Sequence, residues 1–133
     1  MRLRTVSLLA VTLLFALVGP AVAHHSFAAE YDASKRVTLK GVVTKVEWMN
    51  PHVYFFIDVA DEHGKVANWA CEMGPPAGLQ SSGWTKNTLK FGDEVVIDGS
   101  LAKDGSKQVN ARTITMALTG KRLGAASSET TKQ

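Results

Sequence analysis

Residues His52 to Met73 read HVYFFIDVADEHGKVANWACEM. β-branched and aromatic residues fill both ends, and Asp61-Glu62-His63-Gly64 separates them, which is the pattern of a β-hairpin. Strands are predicted over His52–Ala60 and Lys65–Met73. Gly64 suits the left-handed position that ends a three-residue loop, so Asp61 and Lys65 become the closing pair. That register sets Val53 against Met73, Phe55 against Cys71, Ile57 against Trp69 and Val59 against Ala67, on one apolar face. His52, Tyr54, Asp58, Asn68 and Glu72 fall on the other, with Phe56 and Ala70 among them. A slip of one residue would mix the two sets, so burial favours the same register as the turn does.

Upstream, Val37–Trp48 (VTLKGVVTKVEW) alternates and is β-branched. It predicts a long first strand, with Gly41 placed where a bulge or sharp bend fits. Asn50-Pro51 is a turn signal leading into the hairpin. Downstream, Gly74-Pro75-Pro76 ends the third strand and Ala77–Ser82 is a short helix or turn; Thr85 suits the N-cap of a further helical turn reaching Leu89. A turn at Gly92-Asp93 feeds a strand that ends at Gly99, and Gln108–Met116 is the last strand. The expected fold is all-β: a small five-stranded OB-fold-like barrel with a short helix between strands 3 and 4, with an open β-sandwich as the alternative. His24–Arg36 lacks apolar periodicity and reads as an extended arm, so the barrel domain is placed at 37–118. Thr119–Gln133 has little to bury and reads as a disordered tail.

The 133 residues are 45% hydrophobic and 20% charged, which suits one globular domain. The first 23 have the three parts of a secretory signal: Arg2 and Arg4, an apolar run over Leu8–Val18, and Ala21-Val22-Ala23 for cleavage. The run is too short for a span, which needs about 20 apolar residues. No cysteine follows the cleavage site to take a lipid. The mature chain therefore starts at His24 and is expected in the periplasm or outside the cell, with no membrane span of its own.

Without Arg2 and Arg4, thirteen basic side chains face twelve acidic ones. That balance, together with export, argues against a nucleic-acid partner. Cys71 is the only cysteine, which excludes an intramolecular disulfide and any CxxC motif; on the apolar face it reads as buried and inert. Met49 and Met73 read as core filling and His63 as a solvated turn residue. The sequence has no G-x-S-x-G elbow, HExxH, P-loop or dinucleotide fingerprint. Nothing sets two of Glu47, Asp58 and Glu72 at a glycosidase separation. A binding protein is expected before an enzyme.

His24-His25-Ser26-Phe27 after a signal, Val37-x-Leu39-x-Gly41-x-Val43, Trp48-Met49-Asn50-Pro51-His52, Trp69-x-x-Glu72 and Leu89-x-x-Gly92-Asp93-x-Val95 together resemble a family of small secreted bacterial proteins of unknown function. The resemblance covers nearly the whole mature domain and implies a periplasmic β-barrel. More distantly, the strand order is similar to that of periplasmic copper-binding OB proteins, which use Met, His and Trp on barrel strands. Trp48, Met49, His52 and Met73 are the matching residue types, although the hairpin register turns Met73 inward, away from His52.

The processed N-terminus carries the densest chemistry. The free amine and imidazole of His24 stand beside the imidazole of His25, with reference pKa values of about 7.7–8.0 for the amine and about 6.5 for the rings. Such nitrogen donors suit Cu(II) before Ni(II) or Zn(II), and the arrangement resembles, in local chemistry, the histidine brace of copper-dependent polysaccharide oxygenases. His52 supplies a third imidazole and Glu72 a carboxylate, so the candidate metal set is His24, His25, His52 and Glu72. The plainer alternative makes the first two polar residues behind a cleavage site and His52 a strand cap. A competing function is a module that binds a small organic ligand or an envelope protein through Tyr54, Trp48 and Trp84, without metal. A copper-dependent oxidoreductase is the third reading.

Overall fold

Among residues 27–129, which the computed structural model describes, six strands follow in chain order: β1 (Tyr31–Glu47), β2 (Tyr54–Ala60), β3 (Val66–Glu72), β4 (Glu94–Ala102), β5 (Gln108–Met116) and β6 (Arg122–Gly124). A one-turn helix α1 (Phe27–Glu30) precedes β1, and α2 (Pro76–Ser81) lies between β3 and β4. The sheet order is β3-β2-β1-β4-β5-β6, with antiparallel neighbours and an added parallel ladder between β3 and β5. The fold is thus mostly β and antiparallel, with six strands where five are expected. No helix among the described residues is long and apolar enough to cross a membrane.

The hairpin takes the register that its turn and apolar pattern require. Tyr54 pairs with Glu72, Phe55 with Cys71, Ile57 with Trp69 and Val59 with Ala67. Asp61 and Lys65 close the loop through a 2.9 Å backbone hydrogen bond, and Gly64 sits at φ 79°. Val53, Phe55, Ile57, Cys71 and Met73 all reach the core. Each side chain of this size contributes about 1.5–3 kcal/mol by leaving water.

β1 serves both halves of the sheet, pairing with β4 over its first part and with β2 over its second. Gly41 sits where the two ladders meet. A Cβ there would lie 2.6 Å from the Asp58 carbonyl oxygen, so only glycine lets β1 come this close to β2. The bulge itself falls between Val43 and Lys45. The Asn50–Pro51 peptide is cis. No helix forms after Thr85; its hydroxyl instead accepts the Asn87 N–H in a local turn.

The structure revises both ends of the expected domain. The described part of the predicted arm, from Phe27 on, becomes α1 and the start of β1, because Tyr31 buries its ring to 1% exposure and pairs with Ala102 of β4. That pairing also carries β4 past Gly99 to Ala102. At the other end, the stretch read as disordered from Thr119 forms β6 and docks. β3 covers the free edge of β5 only at Gln108–Asn110, and β6 takes over that edge at Thr113–Thr115. Ala125 then donates to the Arg112 carbonyl and accepts from the Gly74 N–H, and it is fully buried. Unpaired strand-edge groups, together with Leu123, Ala125 and Ala126 packing on the core, recruit this segment.

Candidate functional site

Glu72 ends β3 on the face assigned to solvent, yet it is only 3% exposed. The start of β1 folds over it. An unpartnered carboxylate at such a depth costs several kcal/mol, and this one is satisfied throughout. Oε2 accepts the Tyr31 hydroxyl at 2.5 Å and the Tyr54 hydroxyl at 2.6 Å. Oε1 stands 3.2 Å from His52 Nδ1 and takes a long 3.5 Å bond from Asn110 Nδ2.

The donors are themselves anchored. Gln108 Nε2 donates to the Tyr31 hydroxyl at 2.6 Å, and Ser127 Oγ donates to Asn110 Oδ1 at 2.6 Å. Three strands, β1, β2 and β5, therefore converge on this β3 carboxylate, with the C-terminal segment behind Asn110. Burial, then the bond to Glu72 and the nearby negative charge, hold both phenols above the usual tyrosine range, so they remain protonated donors. A cleft of about 310 Å³ opens over this cluster, with Glu30, Tyr31, Tyr54, Lys103 and Gln108 in its lining.

This arrangement changes the part Glu72 can play. Both of its oxygens are committed to protein donors, so it is an orienting carboxylate and not an open ligand. His52 is different: its side chain is 28% exposed and its Nδ1 faces Glu72. The contact engages Nδ1 and leaves Nε2 on the other side of the ring. A carboxylate beside one ring nitrogen orients the imidazole, as is common behind metal-bound histidines.

The other candidates scatter. His24, His25 and the signal lie outside the described residues. Trp84 is 2% exposed and its indole N–H donates to the Gly124 carbonyl at 2.7 Å, so it belongs to the core and not to a ligand surface. Trp48 is partly buried against the core, and Tyr54 is tied to Glu72. Met49 is 55% exposed in the turn before His52, contrary to its expected place in the core. Trp69 is only partly buried, with the Lys107 ammonium 5.4 Å from its ring centre. Cys71 is buried and free, and burial pushes its thiol well above the usual range. Among the described residues no three His, Cys, Asp or Glu side chains group as a metal cage.

Tyr31, Gln108 and Asn110 are the members that sequence reasoning misses. Tyr31 is the one large aromatic between Phe27 and Trp48, in a stretch without periodicity. Asn110 is a polar residue within a strand whose neighbours are apolar or β-branched. Each is a visible anomaly, but neither shows its partner, because the contacts span 38 and 41 residues.

No curated protein matches the sequence. Residues 12–111 match the model of a family described as a family of unknown function (DUF6152), and the chain, matched over most of its length, belongs to that family.

Proposed function

We propose that the mature chain, exported and cut after Ala23, is a periplasmic or secreted metal-binding protein. It takes copper in preference to zinc or nickel, through the His24 amine and ring, the His25 ring and Nε2 of His52. The observation that carries this reading is the His52–Glu72 pair, 3.2 Å apart, with Nε2 left over. Glu72 serves it from behind.

Covalent reach agrees. The Phe27 ring stacks on the Tyr31 ring at a centroid distance of 5.7 Å, and the Tyr31 hydroxyl lies on Glu72. His24 and His25 precede Phe27 by three and two residues, a span of up to about 10 Å and about 7 Å. Met49, three residues ahead of His52 and exposed, adds a soft thioether of the kind that takes Cu(I). We read the sheet as an OB-like barrel, since every strand from β1 to β5 has a neighbour on both sides. Such a scaffold holds His52 on a strand entry fixed by its neighbours.

The test is a Cu(II) titration of protein beginning at His24, followed by d–d absorption. Tight one-to-one binding is expected, weakened at least tenfold by His52→Ala and by one extra glycine ahead of His24. Binding that ignores His52 would overturn the reading. No binding at all would also overturn it, and would turn attention to the cleft beside Tyr54 as a site for a small organic ligand.

A further inference from the structure

A second charged constellation, which the metal reading does not use, adjoins the first through Ser127, which lines it and also donates to Asn110 of the Glu72 cluster. The outward faces of β1, β4, β5 and β6 enclose a groove of about 430 Å³. Its floor includes Gly99, Gly124 and Ala125, and Arg36, Arg112 and Arg122 stand along it. Asp98 is already occupied there: it accepts from the Thr38 and Thr113 hydroxyls and lies 3.8 Å from Arg122.

The remaining cations hold a carboxylate from the chain's own end. Arg36 grips Glu129 with two parallel bonds, Nη1 to Oε2 at 3.0 Å and Nη2 to Oε1 at 2.5 Å, and Arg112 Nε lies 3.6 Å from Oε2. Glu129 is reduced to 16% exposure there, while both arginines stay 43% exposed. A planar guanidinium gripping a carboxylate through two bonds is the geometry by which proteins recognise carboxylates. The tether is short and local: the Glu129 N–H donates to Ser127 Oγ at 3.2 Å.

We infer that this groove is a carboxylate-binding site, and that Glu129 is its built-in, exchangeable occupant. The ligand class is a carboxylate presented on an extended backbone, as an acidic peptide presents it, because the resident is itself such a segment, Ser127-Ser128-Glu129. Displacing Glu129 leaves three arginines against Asp98 alone, so the open groove has a stronger demand for an anion than the closed one. The exposed arginine flanks give an incoming carboxylate a place to land before Glu129 leaves.

The experiment uses the mature full-length chain and its Glu129→Ala variant, with the Arg36 and Arg112 side-chain Nε–H resonances as the readout. Two probes separate the sources of the carboxylate: a blocked Ser-Ser-Glu-Thr peptide, copying residues 127–130, and succinate. Glu129→Ala is expected to bind the peptide at least tenfold more tightly than the parent, and Arg36→Ala in that background is expected to abolish the gain. A response to succinate equal to that of the peptide would reassign the site to small carboxylates and overturn the peptide assignment. No gain on removing Glu129, or a gain that survives Arg36→Ala, would overturn the site itself. Unchanged core amide resonances in Glu129→Ala certify that the fold is intact, and Glu129→Gln provides the same test with the side-chain shape preserved.

Discussion

Glu72 and Glu129 are carboxylates drawn out of bulk water on one small sheet, linked through Asn110 and Ser127, and they are held by opposite means. Glu72 lies in the interior among two phenols, an amide and an imidazole. Glu129 lies at the rim on two guanidinium groups that keep much of their surface in solvent. The first is fixed by directional bonds from buried or half-buried side chains. The second is fixed by charge, which any competing carboxylate also supplies. The difference suits Glu72 to orienting a neighbour, and Glu129 to giving way.

The largest expected effect comes from breaking the interior arrangement. Glu72→Ala leaves the Tyr31 and Tyr54 hydroxyls without their acceptor, while the Asn110 amide keeps its 3.4 Å bond to Ser128 Oγ. Each orphaned buried group costs about 1–3 kcal/mol, partly offset because a buried charge is also removed. A loss of about 3 kcal/mol or more in urea-measured stability is expected, with little dependence on salt. A loss under about 1 kcal/mol would mean that water fills the site freely and that Glu72 is not held as described.

A smaller change sharpens the same point. Tyr54→Phe removes one of the two short bonds on Oε2 and leaves the other from Tyr31. Hydrogen bonds to charged groups contribute about 1.5–3 kcal/mol, and Tyr54 is only half-buried, so about 1.5 kcal/mol is expected from the same urea measurement. A neutral result would show Tyr31 sufficient alone.

Most of the scaffold was legible because it rests on local rules. The hairpin register followed from Gly64 and from the alternation of Phe55, Ile57, Cys71 and Met73, and β5 was found with its observed bounds. The sites were legible only in part. His52 and Glu72 were picked out together with His24 and His25 as a metal set, and these two are in contact. The burial of Glu72 was missed, because it depends on Tyr31 arriving from a segment whose own pattern has no strand signal. The tail was misread for a related reason. Residues 122–129 dock through backbone groups offered by Arg112 and Gly74, through the Glu129 fork and through Leu123, Ala125 and Ala126 on the core, and three apolar residues so close together leave no hydrophobic period to read.

The smallest expected effect tests the rim. Glu129→Gln keeps the size of the side chain and removes its charge, so the Arg36 fork loses its ionic part while the backbone pairing of Ala125 stays. Exposed ion pairs are usually worth about 1 kcal/mol or less, and the half-exposed arginines place this one in that range despite its two-bond geometry. The expected loss is therefore about 0.5–1 kcal/mol at low ionic strength. It should fade at 1 M salt, where charges are screened beyond about 3 Å. Measured beside Glu72→Ala, the pair of variants separates the two ways of holding a carboxylate: a large loss that salt leaves alone, and a small one that salt erases. If the Glu129→Gln loss were instead large and unaffected by salt, the C-terminal segment would be part of the core and could not yield its place to a ligand.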